Sequence, residues 1–268
     1  MKTLLKSIVP EQYHGKLKEI ACRAYTVLYA GDRYSCPLCG RGFRRMIPRG
    51  YRHGVLFEKH VVGGGWRRDA FCPGCSSYDR ERLVYLYLKT RTTALRKASK
   101  VLHIAPERVL EKLFRKVPGI DYTTGDLFSK VVDVKLDVTA IQFADHTFDL
   151  TLCNHVMEHV PDDRKAMAEI FRTLKPGGLA IIQTPISAVL EKTDEDLTDI
   201  PVAERIRRFG QEDHCRIYAR DYEQRLASVG FAVEVFRWEK EPADFGGAEN
   251  RFALNPEEPI FVCRKPAG

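Results

Sequence analysis

The chain has 268 residues, 44% of them hydrophobic, enough for one large domain or for a domain with an appendage. No apolar run approaches the roughly 20 residues that a membrane helix needs, and the apolar part of Met1-Lys2-Thr3-Leu4-Leu5-Lys6 is too short for a signal peptide, so a soluble cytoplasmic protein is expected. Residues 1–100 hold 21 Lys and Arg against 7 Asp and Glu, residues 101–268 hold 22 against 29, and the net charge is +7; the basic third suits an anionic partner or is a solvated surface.

Apolar steps of three and four at Leu17, Ile20, Ala21, Ala24, Val27 and Leu28 predict an amphipathic helix over 10–30, with Gly31 as its stop. Residues 32–77 are rich in Gly, Arg and Cys and too poor in apolar runs for a core of their own, so this stretch needs a staple. Helical spacing returns over 78–98 through Leu83, Leu86, Tyr87 and Leu95, as a link between this small module and the larger C-terminal part of the chain. A first strand is expected over 100–105, and Pro106-Glu107 opens a helix to about Val117. Further strands are expected over 121–126, 131–138, 148–153 and 179–184, with a helix over 163–174. Residues 186–217 break this rhythm with charges, Pro201 and Gly210, as lids and substrate loops do. A helix over 221–228 and strands over 231–236 and 259–263 complete the chain, which divides into a module over 1–98 and a larger domain over 99–268.

Eight cysteines include two Cys-x-x-Cys pairs, Cys36-Pro37-Leu38-Cys39 and Cys72-Pro73-Gly74-Cys75. In a reducing compartment such pairs favour metal over disulfides. Two thiolates on each tight turn can complete a tetrahedron around one zinc ion, and four cysteines leave no open position, so the site is expected to be structural. The 32 residues between the pairs form a real excursion, and the arrangement resembles zinc ribbons in general. His53 and His60 lie between the pairs and are read as loop histidines, since four thiolates already satisfy zinc. A redox pair is the competing reading, for which one Cys-x-x-Cys would suffice.

Short buried runs that alternate with helix-length segments predict parallel strands, and in an open α/β sheet ligands sit outside the carboxyl ends of the strands. Asn154-His155 and Gln183-Thr184 fall there. Phe148-Asp149-Leu150, Glu158-His159 and Leu174-Lys175-Pro176-Gly177-Gly178 together resemble the class I S-adenosylmethionine (SAM)-dependent methyltransferases, especially the type 11 branch, from about Lys100 onward. The resemblance implies an α/β, Rossmann-like, doubly wound, mostly parallel seven-stranded sheet that binds SAM. The family's first motif carries an acid and several glycines; here His103-Ile104-Ala105-Pro106-Glu107 stands in its place, so the loop is expected to follow another path. Ala105 is small enough to help, and Glu107 either meets the methionine ammonium or is a first-turn helix charge. By the same resemblance Asp126 faces the ribose hydroxyls and Asp137-Val138 the adenine edge, with Asp133 as a rival and turn formation as the alternative role of each acid. Asn154 and His155 line the methyl-donor pocket.

Transfer to a protonated oxygen or nitrogen needs a base, and His155, His159 and His214 are the candidates. His214 closes the 186–217 excursion beside Asp213, Arg216 and Tyr218, and Arg216 suits an acidic or phosphorylated acceptor. Three functions are open: a methyltransferase acting on a small-molecule or glycan-like, anionic acceptor; an RNA methyltransferase that docks nucleic acid through Arg41, Arg44, Arg45, Arg49, Arg52, Arg67, Arg68, Tyr51 and Trp66; and a binding module without catalysis.

Overall fold

The computed structural model describes residues 22–268. The first part of the helix expected over 10–30 lies outside them; residues 22–28 are helical. The centre is a seven-stranded sheet: β1 (Ser99–Ile104), β2 (Ile120–Asp126), β3 (Val134–Lys135), β4 (Phe148–Asn154), β5 (Leu174–Gln183), β6 (Ala232–Phe236) and β7 (Ile260–Arg264). Their order is β6-β7-β5-β4-β1-β2-β3, parallel from β5 through β3, with β7 antiparallel to both neighbours. Strand order reverses between β1 and β4, which is where such sheets open a crevice.

Five helices matter to the site: α1 (Asp79–Arg91), α2 (Arg108–Phe114), α3 (Asp163–Thr173), α4 (Val202–Phe209) and α5 (Tyr222–Ala227). One face of the sheet is covered through Met167, Ile170, Tyr222 and Leu226 of α3 and α5. The other is covered by Leu83, Val84, Tyr87 and Leu88 of α1, packed on Val101, Leu150, Leu152 and Ile181. The expected link over 78–98 is therefore helical only to Arg91 and is part of the sheet's packing. No helix among the described residues is long and apolar enough to cross a membrane.

Two elements are shorter than the sequence predicts. The helix after β1 stops at Phe114, short of Val117. The strand expected over 131–138 shrinks to Val134–Lys135, because the acids on either side fold back: Asp133 accepts from the Thr124 amide and Arg115, and Asp137 accepts from the amide and hydroxyl of Thr139. Val131, which an edge strand would have paired, is exposed.

The cysteine-rich segment is tied to the sheet domain at several points. Val61–Val62 pairs antiparallel with Ile186–Ser187, Lys59 bridges Asp194 at 2.6 Å, and Arg67 forks onto Asp79 at 2.6 and 3.0 Å. The strongest tie is Arg82 on α1, fully buried, whose five N–H groups all donate to backbone carbonyls: Asp69, Ala70 and Ser77 of the cysteine-rich segment, and Phe252 and Ala253 of the loop before β7. Arg82→Met should therefore lower the unfolding free energy by at least ~3 kcal/mol, since each buried carbonyl left without a donor costs ~1–3 kcal/mol. A urea midpoint unchanged from the parent would show that the guanidinium is dispensable.

Candidate functional site

The strand reversal is flanked by the residues just after β1 and β4. Ala105 and His155 occupy equivalent places there, and both are left-handed, with φ of +49° and +55°. That conformation costs a non-glycine residue of order 1–3 kcal/mol and persists only where the surroundings impose it. The loop after β1 therefore does take the turn that glycine would favour, contrary to the expectation of a different path.

Glu107 is the residue just before α2, and its side chain makes no cap hydrogen bond to that helix. Instead Oε2 lies 2.8 Å from His103 Nε2 and accepts from Asn154 Nδ2 at 3.3 Å, joining the ends of β1 and β4. The His103 ring is fully buried, and its Nδ1 lies 2.8 Å from the Tyr122 hydroxyl, so both its nitrogens are engaged within the protein and it reaches the crevice through Glu107. Burial works against the charged form of Glu107, yet the hydrogen bond and charge of His103, with Arg80 behind them, hold its carboxyl below the ordinary value. Among the described residues, Glu107 Oε1, Asn154 Oδ1 and His155 Nε2 are buried with no hydrogen-bond partner. Orphaned buried polar atoms are costly and mark a missing ligand or water. Two free acceptors, one of them on an ionised carboxylate, suit an ammonium, so the residues present fit the amino-acid end of SAM.

Sequence reasoning missed Arg80 and Glu81, at the start of α1. Arg80 lies over the Tyr78 ring at 4.6 Å, its Nε is buried without a partner, and its charge acts on both Glu107 and His155. Burial first, and the neighbouring Glu107 charge second, push the Glu81 carboxyl up to about 8. Only the helix-start signal Asp79 to Glu81 was visible in the sequence, and it does not show which way α1 points.

On the outer side, Asp126 Oδ1 accepts from the amides of Phe128 and Ser129, and Asp137 Oδ1 from Thr139, so each acid spends one oxygen on its own turn. Leu127, Phe128 and Val131 stand exposed around them, and Val138 is buried. Asp133 is committed to Arg115 and Thr124.

Beyond β4, Glu158 is buried and surrounded by imidazoles. His155 Nδ1 lies 3.3 Å from Oε1, and the Thr184 hydroxyl donates to Oε2 at 3.2 Å. Burial would raise this carboxyl, but the His155 hydrogen bond, then the charges of His155, His214 and His159, hold it at about 2. Burial, aided by Arg80, pushes His155 below the ordinary imidazole value. The rings of His159 and His214 meet edge to face at 4.7 Å, and Asp213 Oδ2 lies 3.2 Å from His159 Nδ1. All three histidines singled out in the sequence thus converge on Glu158. Arg216 does not serve an acceptor: it is fully buried, donating to the carbonyls of Met157, Val160 and Pro161 and pairing with Glu195.

The two Cys-x-x-Cys turns also meet. Cys36 and Cys75 sulfurs are 3.6 Å apart, Cys39 and Cys72 3.8 Å, and all four lie within 4.8 Å of one another. A disulfide needs about 2.05 Å, whereas a tetrahedron of about 2.3 Å metal–sulfur bonds sets its sulfurs about 3.8 Å apart. His60 instead meets Glu257 at 2.8 Å, away from the sulfurs.

Residues 105–182 match a family model described as a methyltransferase domain. The chain is similar to a demethylmenaquinone methyltransferase of Renibacterium salmoninarum, 34% identical over 68 residues, which are 25% of this chain and 24% of that protein. It is also similar to an uncharacterized methyltransferase of Mycobacterium sp. (strain KMS), 41% identical over 49 residues, 18% of this chain and 19% of that one. It thus spans a quarter or less of these relatives' lengths. Among solved structures, a SAM-dependent methyltransferase from Archaeoglobus fulgidus aligns at TM-score 0.45 and 14% identity, over 70% of this chain and 95% of that one. A 1,6-didemethyltoxoflavin-N1-methyltransferase from Burkholderia thailandensis aligns at 0.40 and 15%, over 70% and 87%. Residues 105–182 are thus similar to methyltransferase domains, and the four-cysteine cluster lies on their N-terminal side.

Glu81 gives this site a measurable signature. Its value in the folded chain lies above that of a free carboxyl, so the fold holds a proton that the unfolded chain releases. The stability it contributes is complete below about pH 4.5 and is lost as pH rises through about 8. Glu81→Gln should flatten that decline, by up to ~1.4 kcal/mol per pH unit in this window, in denaturant titrations from pH 5 to 8. Parallel curves for parent and variant would contradict it.

Proposed function

We propose that this chain transfers a methyl group from SAM to an oxygen or nitrogen of a small-molecule or glycan-like, anionic acceptor. The observation that carries this reading is the trio of buried, unpartnered atoms at the strand reversal, Glu107 Oε1, Asn154 Oδ1 and His155 Nε2. Glu107 and Asn154 take the methionine ammonium, Ala105 keeps the loop close, and His103 fixes Glu107. Asp126 takes the ribose hydroxyls through its second oxygen, and Asp137 with Val138 borders the adenine. SAM supplies the sulfonium methyl group. His155, oriented by Glu158, then takes the acceptor's proton through Nε2, since a neutral imidazole held by a carboxylate is a competent base.

The anionic acceptor class rests on the exposed Arg41, Arg44, Arg45, Arg52 and Arg68 of the N-terminal module. Tyr51 of that module borders the histidine cluster: burial first, then the Asp213 charge, holds its phenol above the ordinary value. A second reading, docking of RNA on this face, is favoured by Arg52 lying over the Trp66 ring at 4.7 Å. Salt-sensitive retention of RNA, absent with anionic sugars, would select it.

Calorimetry should show SAM or its demethylated product binding the parent, and Glu107→Gln weakening it by roughly tenfold or more, as loss of a charged hydrogen-bond partner does. His155→Gln should leave that affinity in place while turnover falls roughly 10²- to 10⁴-fold. Absence of cofactor binding by the folded parent would defeat the proposal.

We also propose that zinc occupies the four-cysteine cluster as a structural ion. Elemental analysis should find it in the purified chain, and Cys72→Ser should remove it and expose residues 30–77 to protease, because folding of such a small segment is coupled to its metal. A well-folded, metal-free parent would refute it.

A further inference from the structure

Glu158, His159 and His214 place three potential ligand atoms within 4.8 Å of one another, apart from the cysteine cluster. We propose that they bind one divalent transition-metal ion, open to a hydroxyl oxygen of the acceptor. The acceptor part rests on the methyltransferase reading; binding of the ion does not.

The first observation is the ligand set. One carboxylate and two imidazoles suit zinc, manganese, iron(II) or cobalt, and three protein ligands leave positions for water or substrate, unlike a four-thiolate site. The second is burial without a partner. His214 is 3% exposed, and among the described residues its Nε2 has no hydrogen-bond partner. Glu158 is 1% exposed, and its ion pair is with His155, not with lysine or arginine. A buried carboxylate held by an imidazole and the Thr184 hydroxyl is expensive unless a cation joins it.

The third observation is that the cluster is built. The Cys215 amide donates to the Glu158 carbonyl at 3.0 Å, which sets His214 against Glu158. Arg216 locks the turn through the carbonyls of Met157, Val160 and Pro161. Asp213 holds the His159 ring from outside, the outer contact that orients ligating imidazoles.

The place of the cluster gives its use. His155 stands just after β4 at the strand reversal and touches the same carboxylate, so on the methyltransferase reading an acceptor oxygen on the ion would lie between donor and base. The bound hydroxyl gives its proton to His155 Nε2. Its oxygen forms a bond to the methyl carbon, and the carbon–sulfur bond breaks with its electron pair left on sulfur. An acceptor with two adjacent oxygens, such as a vicinal diol or a catechol, would chelate best.

Manganese(II) tests this on the full chain with its zinc in place and without SAM, because thiolate sites discriminate against manganese. Paramagnetic resonance should show free manganese depleted with one site per chain. Glu158→Gln and the half-buried His159→Asn should each weaken it by about tenfold or more, with the circular dichroism and zinc content of the parent. Cobalt(II) added likewise should give d–d bands without new thiolate charge transfer. No uptake of either ion by the parent, or uptake unchanged in both folded variants, would overturn the proposal. Cofactor calorimetry on the same samples reports separately on the methyl-donor site.

Discussion

A single guanidinium holds the molecule's two parts in register. Arg82 has five N–H groups, and each meets a backbone carbonyl, from residues 69–70, 77 and 252–253. Lysine could not replace it, having three donors and no planar fork. Because Arg82 sits near the start of α1, it fixes the first turn as well. That turn sends Asp79 to Arg67 and sets Arg80 and Glu81 beside Glu107. The cysteine turn is tied into the same knot, since the Cys72 amide donates to the Ser77 carbonyl that Arg82 also uses. The four-cysteine cluster and the surroundings of Glu107 are thus joined through one turn.

The strand reversal carries a polar relay in place of a glycine-rich loop. Glycines let a main chain approach a nucleotide; here Ala105 keeps the left-handed turn, and Tyr122, His103, Glu107 and Asn154 form a chain of hydrogen bonds across the strand reversal. The carboxylate of this relay stands at the start of α2.

Much of this was legible in the residues. The buried runs at 100–105 and 148–153 became central strands because an apolar segment bounded by polar residues has few other places to go. The cysteine spacing foretold the cluster, whereas the three histidines were separate candidates for a base whose meeting at Glu158 only the fold shows. Long-range polar partners were not legible. Nothing local distinguishes Arg82, which serves five carbonyls, from Arg80, whose Nε has no partner, or Arg216, which is spent inside, from the exposed Arg220. The 131–138 strand failed for a related reason: short acids that look compatible with an edge found nearby amides and hydroxyls to bend toward.

The pairing of Val61–Val62 with Ile186–Ser187, with Lys59 on Asp194, joins the cysteine-rich segment to the 186–217 excursion as one surface. A chain severed at that seam would lose the strand pairing and the Lys59–Asp194 bridge together.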